Sequence, residues 1–97
     1  MCPPDHFGID YEINPWMSRA RQVDRPTAVE QWQRLRTHLE QAGAQIELLP
    51  PVAGLPDLVF TANAALIYEK KAVLANFQHS ERQQETPHDR VWFEQHG

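Results

Sequence analysis

The clearest periodic pattern in the chain covers Pro26–Ala42 and predicts an amphipathic helix. Its apolar residues recur at intervals of three and four positions, which places them on one face of an α-helix. They are Val29, Trp32, Leu35, Leu39 and Ala42. At the start of this helix, either Thr27 and Glu30 form a capping box or Asp24 is the cap, and the sequence fits both. Gly43 supplies the left-handed residue that commonly follows a helix.

Shorter apolar runs on either side of this helix predict strands. Residues His6–Ile13 alternate between apolar and polar with a period of two, which is typical of a half-buried strand. Four further runs are predicted strands, and the polar turn Glu69–Lys71 joins the last two into a hairpin. These runs are Gln45–Leu49, Asp57–Phe60, Ala64–Tyr68 and Ala72–Phe77. A second helix is predicted to begin with Thr86 as its cap and Pro87 in its first turn.

The order of the predicted elements is strand, helix, strand, hairpin, helix, which indicates a mixed α/β or α+β protein. A closing helix normally packs on a sheet, but no strand follows this one before Gly97. The apolar positions are also too few to cover both helices and all the strands. We therefore expect the chain to be part of a larger fold.

The composition narrows the class of partner. Nine Lys and Arg residues against 13 Asp and Glu residues give a net charge of −4, without the basic excess that binding to nucleic acid or an anionic membrane requires. No run approaches the roughly 20 apolar residues of a membrane span, and no secretory signal is recognisable. A single cysteine fits a reducing compartment. We expect a cytoplasmic protein that binds neither nucleic acid nor membrane.

Few individual residues indicate chemistry by themselves. The five histidines lack the close pairs of zinc sites, so we expect no metal. Cys2 has no cation within five residues to lower its thiol pKa, which favours a packed or frayed terminal residue over a nucleophile. Asn14, Asp57 and Asn63 are polar residues where the apolar pattern predicts none. Taken singly, they favour turn caps, and Arg82 favours a solvated charge.

Three segments taken together resemble the amidinotransferase (guanidino-modifying) superfamily, in particular its arginine dihydrolase and dimethylarginine dimethylaminohydrolase branches. The segments are MCPPDHFGIDYEINPWM at 1–17, PDLVFTANAALI at 56–67 and NFQHSERQQE at 76–85. The resemblance implies a pentein α/β propeller, which has five ββαβ-type units around one central site. Residues 1–97 would then hold about one and a half units, as the N-terminal fragment of a single catalytic domain.

The resemblance also implies the activity of the complete enzyme. A cysteine thiolate attacks the guanidinium carbon of arginine or a methylated arginine, and water then releases the thiouronium intermediate. No cofactor is implied. The nucleophilic cysteine and the catalytic histidine of the family are expected beyond residue 97, so we expect no catalytic residue here. By itself, the chain is expected to be inactive and incompletely folded.

Five substrate-binding residues follow from the resemblance. Asn63 stands where the hydrolases commonly carry an aspartate that grips the guanidinium, and its amide oxygen can accept one N–H. Asp57 matches a carboxylate that contacts the amino end of the substrate, and Phe60 is expected to wall the pocket. Arg82 matches an arginine that pairs through its fork with the substrate carboxylate. Asn14 falls at a motif that faces the substrate in the dihydrolase branch, which a neutral Asn63 also favours.

An alternative of another class is a non-catalytic small α/β module that binds an amino-acid-like ligand or a protein partner. Apolar surface left uncovered by a partial propeller would promote association, which leaves a homo-oligomer open. The enzyme hypothesis depends on Asn14, Asp57, Asn63 and Arg82 converging on one cavity that suits a flat cation with a zwitterionic tail.

Overall fold

A computed structural model describes the whole chain, Met1–Gly97, as three helices and one β-hairpin joined by irregular segments. The elements are α1 (Arg25–Gln41), β1 (Ala65–Tyr68), β2 (Lys71–Leu74), α2 (Ser80–Gln83) and α3 (Glu85–His96), with two 3₁₀ turns at Pro56–Val59 and Thr61–Asn63 between α1 and β1. This content is α/β, as predicted. The only sheet has two strands, so the propeller stays a prediction.

Helix α1 confirms the first predicted helix to within one residue at each end. Asp24 is the residue before the helix, and its carboxylate accepts a hydrogen bond from the Thr27 hydroxyl rather than from a backbone N–H. Gly43 adopts the predicted left-handed conformation, with a φ of 96°. The apolar face of α1 is not buried within residues 1–97, since no residue of the helix is buried and Leu35 remains 52% exposed.

The predicted hairpin is confirmed, although its second strand is shorter than expected. Strands β1 and β2 are antiparallel and pair from Ala65 with Leu74 to Tyr68 with Lys71. Glu69, in the two-residue turn, has a positive φ of 52°. Both faces of the hairpin carry large exposed side chains, which are Leu66, Ile67, Tyr68 and Val73.

Three predicted strands do not form. Within His6–Ile13, the Phe7 N–H donates to the Pro4 carbonyl in a local turn, and no neighbouring strand offers a ladder. Residues Gln45–Leu49 form no strand ladder, and the Leu49 N–H donates instead to the Met1 carbonyl at 2.9 Å. Asp57–Phe60 was expected to be a strand but lies mostly in the first 3₁₀ turn, because Pro56 sets a φ that suits the beginning of a turn.

The predicted cap of the last helix is also wrong. Helix α3 begins at Glu85, one residue before Thr86, and the short helix α2 precedes it. The Thr86 hydroxyl donates to the Ala75 carbonyl at 3.0 Å instead of capping the helix. This bond ties the start of α3 to the segment that follows the hairpin.

The apolar core is small and includes one residue of the first 3₁₀ turn. Cys2, Leu49 and Leu58 form it, and Trp92 of α3 packs against it. The Trp92 indole N–H also donates to the Leu48 carbonyl at 2.9 Å, which holds α3 against the segment that follows α1. Three acidic residues are buried near this core, namely Asp57, Glu85 and Asp89. No helix combines the length and the apolar character needed to cross a bilayer.

Candidate functional site

An open cleft of about 480 Å³ lies between the N-terminal loop and the 3₁₀ turns. The five residues that the family resemblance singles out all line it, namely Asn14, Asp57, Phe60, Asn63 and Arg82. The N-terminal loop supplies the rest of the lining, which is Phe7, Gly8, Ile9, Ile13, Trp16 and Met17. The fold therefore brings together side chains from all three resembling segments. Their binding of a substrate stays a prediction.

The Arg82 guanidinium is held rigidly at the base of the cleft. Its Nε and Nη2 donate to the two carboxylate oxygens of Glu85, both at 2.9 Å, in a bidentate pair. The Phe77 ring lies 4.3 Å from the guanidinium carbon, in cation–π geometry. The hydrogen bonds to Glu85 are the main reason that the pKa of Arg82 is raised. Arg82 is therefore charged and fixed in orientation.

The remaining contacts of Arg82 reach two other cleft residues. Nη1 donates to Asn63 Oδ1 at 3.2 Å, and Nη2 donates to the Asp57 backbone carbonyl at 3.3 Å. Four of the five guanidinium N–H bonds are thus engaged within the chain, and one on Nη1 remains. In this arrangement only Nη1 has an N–H left for a ligand, and the pairing of Arg82 with a substrate carboxylate stays a prediction.

Asp57 is a buried carboxylate with two neighbours in the site. Its Oδ2 accepts a hydrogen bond of 2.6 Å from the Tyr11 hydroxyl and lies 4.0 Å from Arg82 Nε. Burial, and then the hydrogen bond to Asp57, raise the pKa of the Tyr11 phenol, so Tyr11 stays a donor. Of the residues that line the cleft, Asp57 and Arg82 carry charges that balance. The buried Glu85 behind Arg82 brings the formal charge of the three residues together to −1.

Asn14 takes the turn-cap role that its sequence context favours, and it also lines the cleft. Its Oδ1 accepts hydrogen bonds from the backbone N–H groups of Trp16 at 3.0 Å and Met17 at 3.1 Å. The amide nitrogen is then the group left for a ligand, because the oxygen is occupied by the turn. Asn14 can therefore donate to a substrate oxygen more readily than it can accept from a cation.

Phe60 and Asn63 are presented to the cleft by the 3₁₀ turns. The Phe60 ring packs edge-on against Phe7, with ring centres 5.5 Å apart, and it remains 47% exposed. The Asn63 N–H donates to the Phe60 carbonyl at 2.9 Å, which links the two residues in one tight turn. The flat Phe60 ring and the Asn63 amide oxygen line the same cleft, and together they suit a planar group with N–H bonds at its edge.

Tyr11 and Glu85 hydrogen-bond to cleft residues, and neither is among the residues predicted for the site. The sequence pattern indicates Tyr11 only as part of a strand. Glu85 follows Arg82 by three positions and closes the third resembling segment, and this spacing was the one signal that could have indicated a partner for the arginine.

Cys2 has neither the exposure nor the acidity of a nucleophilic cysteine. Burial raises the pKa of the Cys2 thiol to about 11, so the thiol is protonated at neutral pH and lacks the reactivity of a nucleophile. Cys2 is 1% exposed and belongs to the core. No group of three or more His, Cys, Asp or Glu side chains is placed to hold a metal ion.

We predict that Asp89→Asn stabilises the folded protein at neutral pH. Burial, and then the nearby negative charge of Glu85, raise the pKa of Asp89 to about 6. A carboxyl whose pKa rises on folding favours the folded state below its unfolded pKa of about 3.9 and loses that benefit as pH increases through about 6. After discounting for solvent screening, the gain should be about 1–2 kcal/mol at pH 7.5 and close to zero at pH 4.

The gain in stability is measured by thermal unfolding of the full-length protein and its Asp89→Asn variant between pH 4 and pH 7.5. Glu94→Gln, an exposed acid on the same helix, is the control and should change little at either pH. An equal gain at pH 4 and pH 7.5 would contradict the buried-charge explanation.

Curated proteins and solved structures similar to this chain are all much longer than it, and no family model matches it. It is 50% identical over 98 residues to the bifunctional arginine dihydrolase/ornithine cyclodeaminase AgrE of Nostoc sp., and 46% identical over 98 residues to the bifunctional enzyme ArgZ of Synechocystis sp.. Each match includes 100% of this chain and 14% of the relative. It is 42% identical over 82 residues to an N(G),N(G)-dimethylarginine dimethylaminohydrolase of Mycobacterium tuberculosis, of which it spans 27%.

Comparison of the fold with solved structures identifies the same relatives. The crystal structure of unliganded AgrE matches the whole chain with a TM-score of 0.94 and 50% identity, over 14% of that protein. The N-terminal domain of ArgZ bound to product, described as an arginine dihydrolase, matches with a TM-score of 0.92 and 44% identity, over 36% of the domain. The chain is thus a homologue of the N-terminal segment of these enzymes and belongs with them to the guanidino-modifying superfamily.

Proposed function

We propose that residues 1–97 form one part of the substrate pocket of a cytoplasmic guanidino-group hydrolase that acts on L-arginine or a methylated arginine. The observation that carries the proposal is the meeting of Asp57, Phe60, Asn63 and Arg82 in one cleft. Support also comes from a relative that matches the whole chain at 48% identity, because AgrE has been crystallised with L-arginine. In this proposal the rest of a single pentein domain completes the pocket.

The cleft matches the charge pattern of arginine. Asn63 Oδ1 has a second lone pair beyond the one that Arg82 uses, and it can accept an N–H of the substrate guanidinium. Asp57 faces the amino end of the substrate, and the free N–H of Arg82 Nη1 donates to the carboxylate. Phe60 lies along the flat guanidinium. The net charge of +1 on the substrate is thereby matched by the −1 that Asp57, Arg82 and the buried Glu85 carry together.

The proposed reaction uses two groups from outside residues 1–97. A cysteine thiolate attacks the guanidinium carbon, and a histidine delivers a proton to the leaving nitrogen of the tetrahedral adduct. Ammonia then departs and leaves the covalent thiouronium intermediate. Water then attacks this intermediate and the thiolate leaves. One such cycle on arginine gives citrulline and ammonia; the dihydrolase reaction consumes two waters and gives ornithine, carbon dioxide and two ammonia molecules.

The experiment that tests the proposal is a product assay of the full-length enzyme that contains this chain. L-Arginine and asymmetric dimethyl-L-arginine are supplied separately, and ornithine, citrulline, ammonia and dimethylamine are measured. We expect arginine to be consumed, with ornithine as product if the enzyme is a dihydrolase. Agmatine, which lacks the carboxylate, is the control for recognition of the amino-acid end. Turnover of neither guanidino compound would contradict the proposal.

A further inference from the structure

Glu85 is a buried residue that lies behind the cleft and does not line it. It is 2% exposed, and it belongs to α3 whereas its partner Arg82 belongs to α2. Both of its carboxylate oxygens accept from Arg82, at 2.9 Å each. Because the fork of Arg82 is planar, this pairing together with the Phe77 ring sets the direction in which Nη1 points.

The direction of Nη1 matters because Nη1 is the atom that reaches the cleft. It donates to Asn63 Oδ1 at 3.2 Å, so the amide plane of Asn63 is oriented by a group that Glu85 holds. The chain of contacts runs from Glu85 to Arg82 to Asn63. Without Glu85, Arg82 would keep a carboxylate neighbour in Asp57, 4.0 Å away, and could turn toward it, which would withdraw Nη1 from Asn63.

We propose that Glu85 is a positioning residue for substrate recognition, which acts through Arg82 on Asn63 and does not touch the substrate. This inference rests on the proposed guanidino hydrolase function. It adds to that function a residue of α3, and it explains why a carboxylate is buried beside an arginine whose fork was expected to face the ligand.

The decisive experiment is a double-mutant cycle in the full-length enzyme, with KM and kcat for L-arginine measured for each variant. Glu85→Gln should raise KM about tenfold and reduce kcat less, because a loosened Asn63 weakens the grip on the guanidinium. Combined with Arg82→Met, the Glu85→Gln change should cost less than about twofold more, because its partner is already absent. If Arg82→Met does not fold, the same cycle is run with Asn63→Ala, with a residual effect below about threefold.

Asp89→Asn is the matched control, because Asp89 is as buried as Glu85, lies one turn further along α3 and has no hydrogen bond to Arg82. It should leave KM unchanged. A KM for Glu85→Gln equal to that of Asp89→Asn, or an undiminished effect in the double mutants, overturns the positioning role. Absence of turnover by the unmodified enzyme overturns the proposed function and this inference with it, which separates the two failures.

Discussion

Arg82→Met should both destabilise the full-length enzyme and remove most of its activity. The Arg82 side chain is 14% exposed and that of Glu85 is 3% exposed, so the substitution leaves a buried carboxylate without its cation. Breaking a buried pair in this way costs about 3–5 kcal/mol. The loss of the Nη1 contact to Asn63, and of the hydrogen bond that Nη1 is proposed to donate to the substrate, should lower kcat/KM at least about 100-fold. Urea unfolding and steady-state kinetics with L-arginine measure the two effects.

Two further variants separate charge burial from the loss of the site. Arg82→Met combined with Glu85→Gln removes the unpaired carboxylate, so stability should recover in part while kcat/KM stays low. Arg34→Met removes an exposed arginine that pairs with Glu30 on α1, and it should change the free energy of unfolding by no more than about 0.5 kcal/mol. If Arg82→Met has normal stability and normal kinetics, the prediction is wrong, and Arg82 has the role of a solvated charge that its local sequence favours.

The elements predicted correctly are those whose evidence is local. Helix α1 has a complete apolar repeat and a glycine at its end, and the hairpin has two apolar runs around a polar turn. The predicted strand at Asp57–Phe60 failed because its apolar run contains a buried carboxylate and follows a proline, so its backbone closes i to i+3 hydrogen bonds. A run of four residues does not reveal that competition between turn and strand.

The residues of the cleft were found through resemblance and not through pattern. Nothing local in the sequence distinguishes Asn63 from an ordinary turn residue, and Asn14 is in fact such a residue as well as a member of the cleft. Contacts that depend on tertiary structure were inaccessible, above all the hydrogen bond from Tyr11 to Asp57 across 46 positions of the chain. Apolar periodicity carries no information about which polar groups meet.

The exposed apolar faces of α1 and the hairpin also have a physical explanation. The α1 stripe was predicted from a pattern that indicates burial, yet Leu35 is 52% exposed and Val73 of the hairpin is 66% exposed. The chain spans 14% of its cyanobacterial relatives and 36% of the ArgZ N-terminal domain. Sequence patterning reports the faces that a fold needs to bury, and residues 1–97 supply only part of what would cover them.

Asn63→Ala should lower kcat/KM for L-arginine by about 10- to 100-fold with little change in stability. The expected loss corresponds to about 1.5–3 kcal/mol for one hydrogen bond to a charged group, since Oδ1 is proposed to accept from the substrate guanidinium. Stability should hold because Asn63 is exposed and its backbone N–H, which bonds to Phe60, is retained. Asn76→Ala is the control, since Asn76 is exposed and lies outside the cleft. If Asn63→Ala and Asn76→Ala have the same kinetics as the unmodified enzyme, Asn63 is a turn residue and the guanidinium is recognised elsewhere.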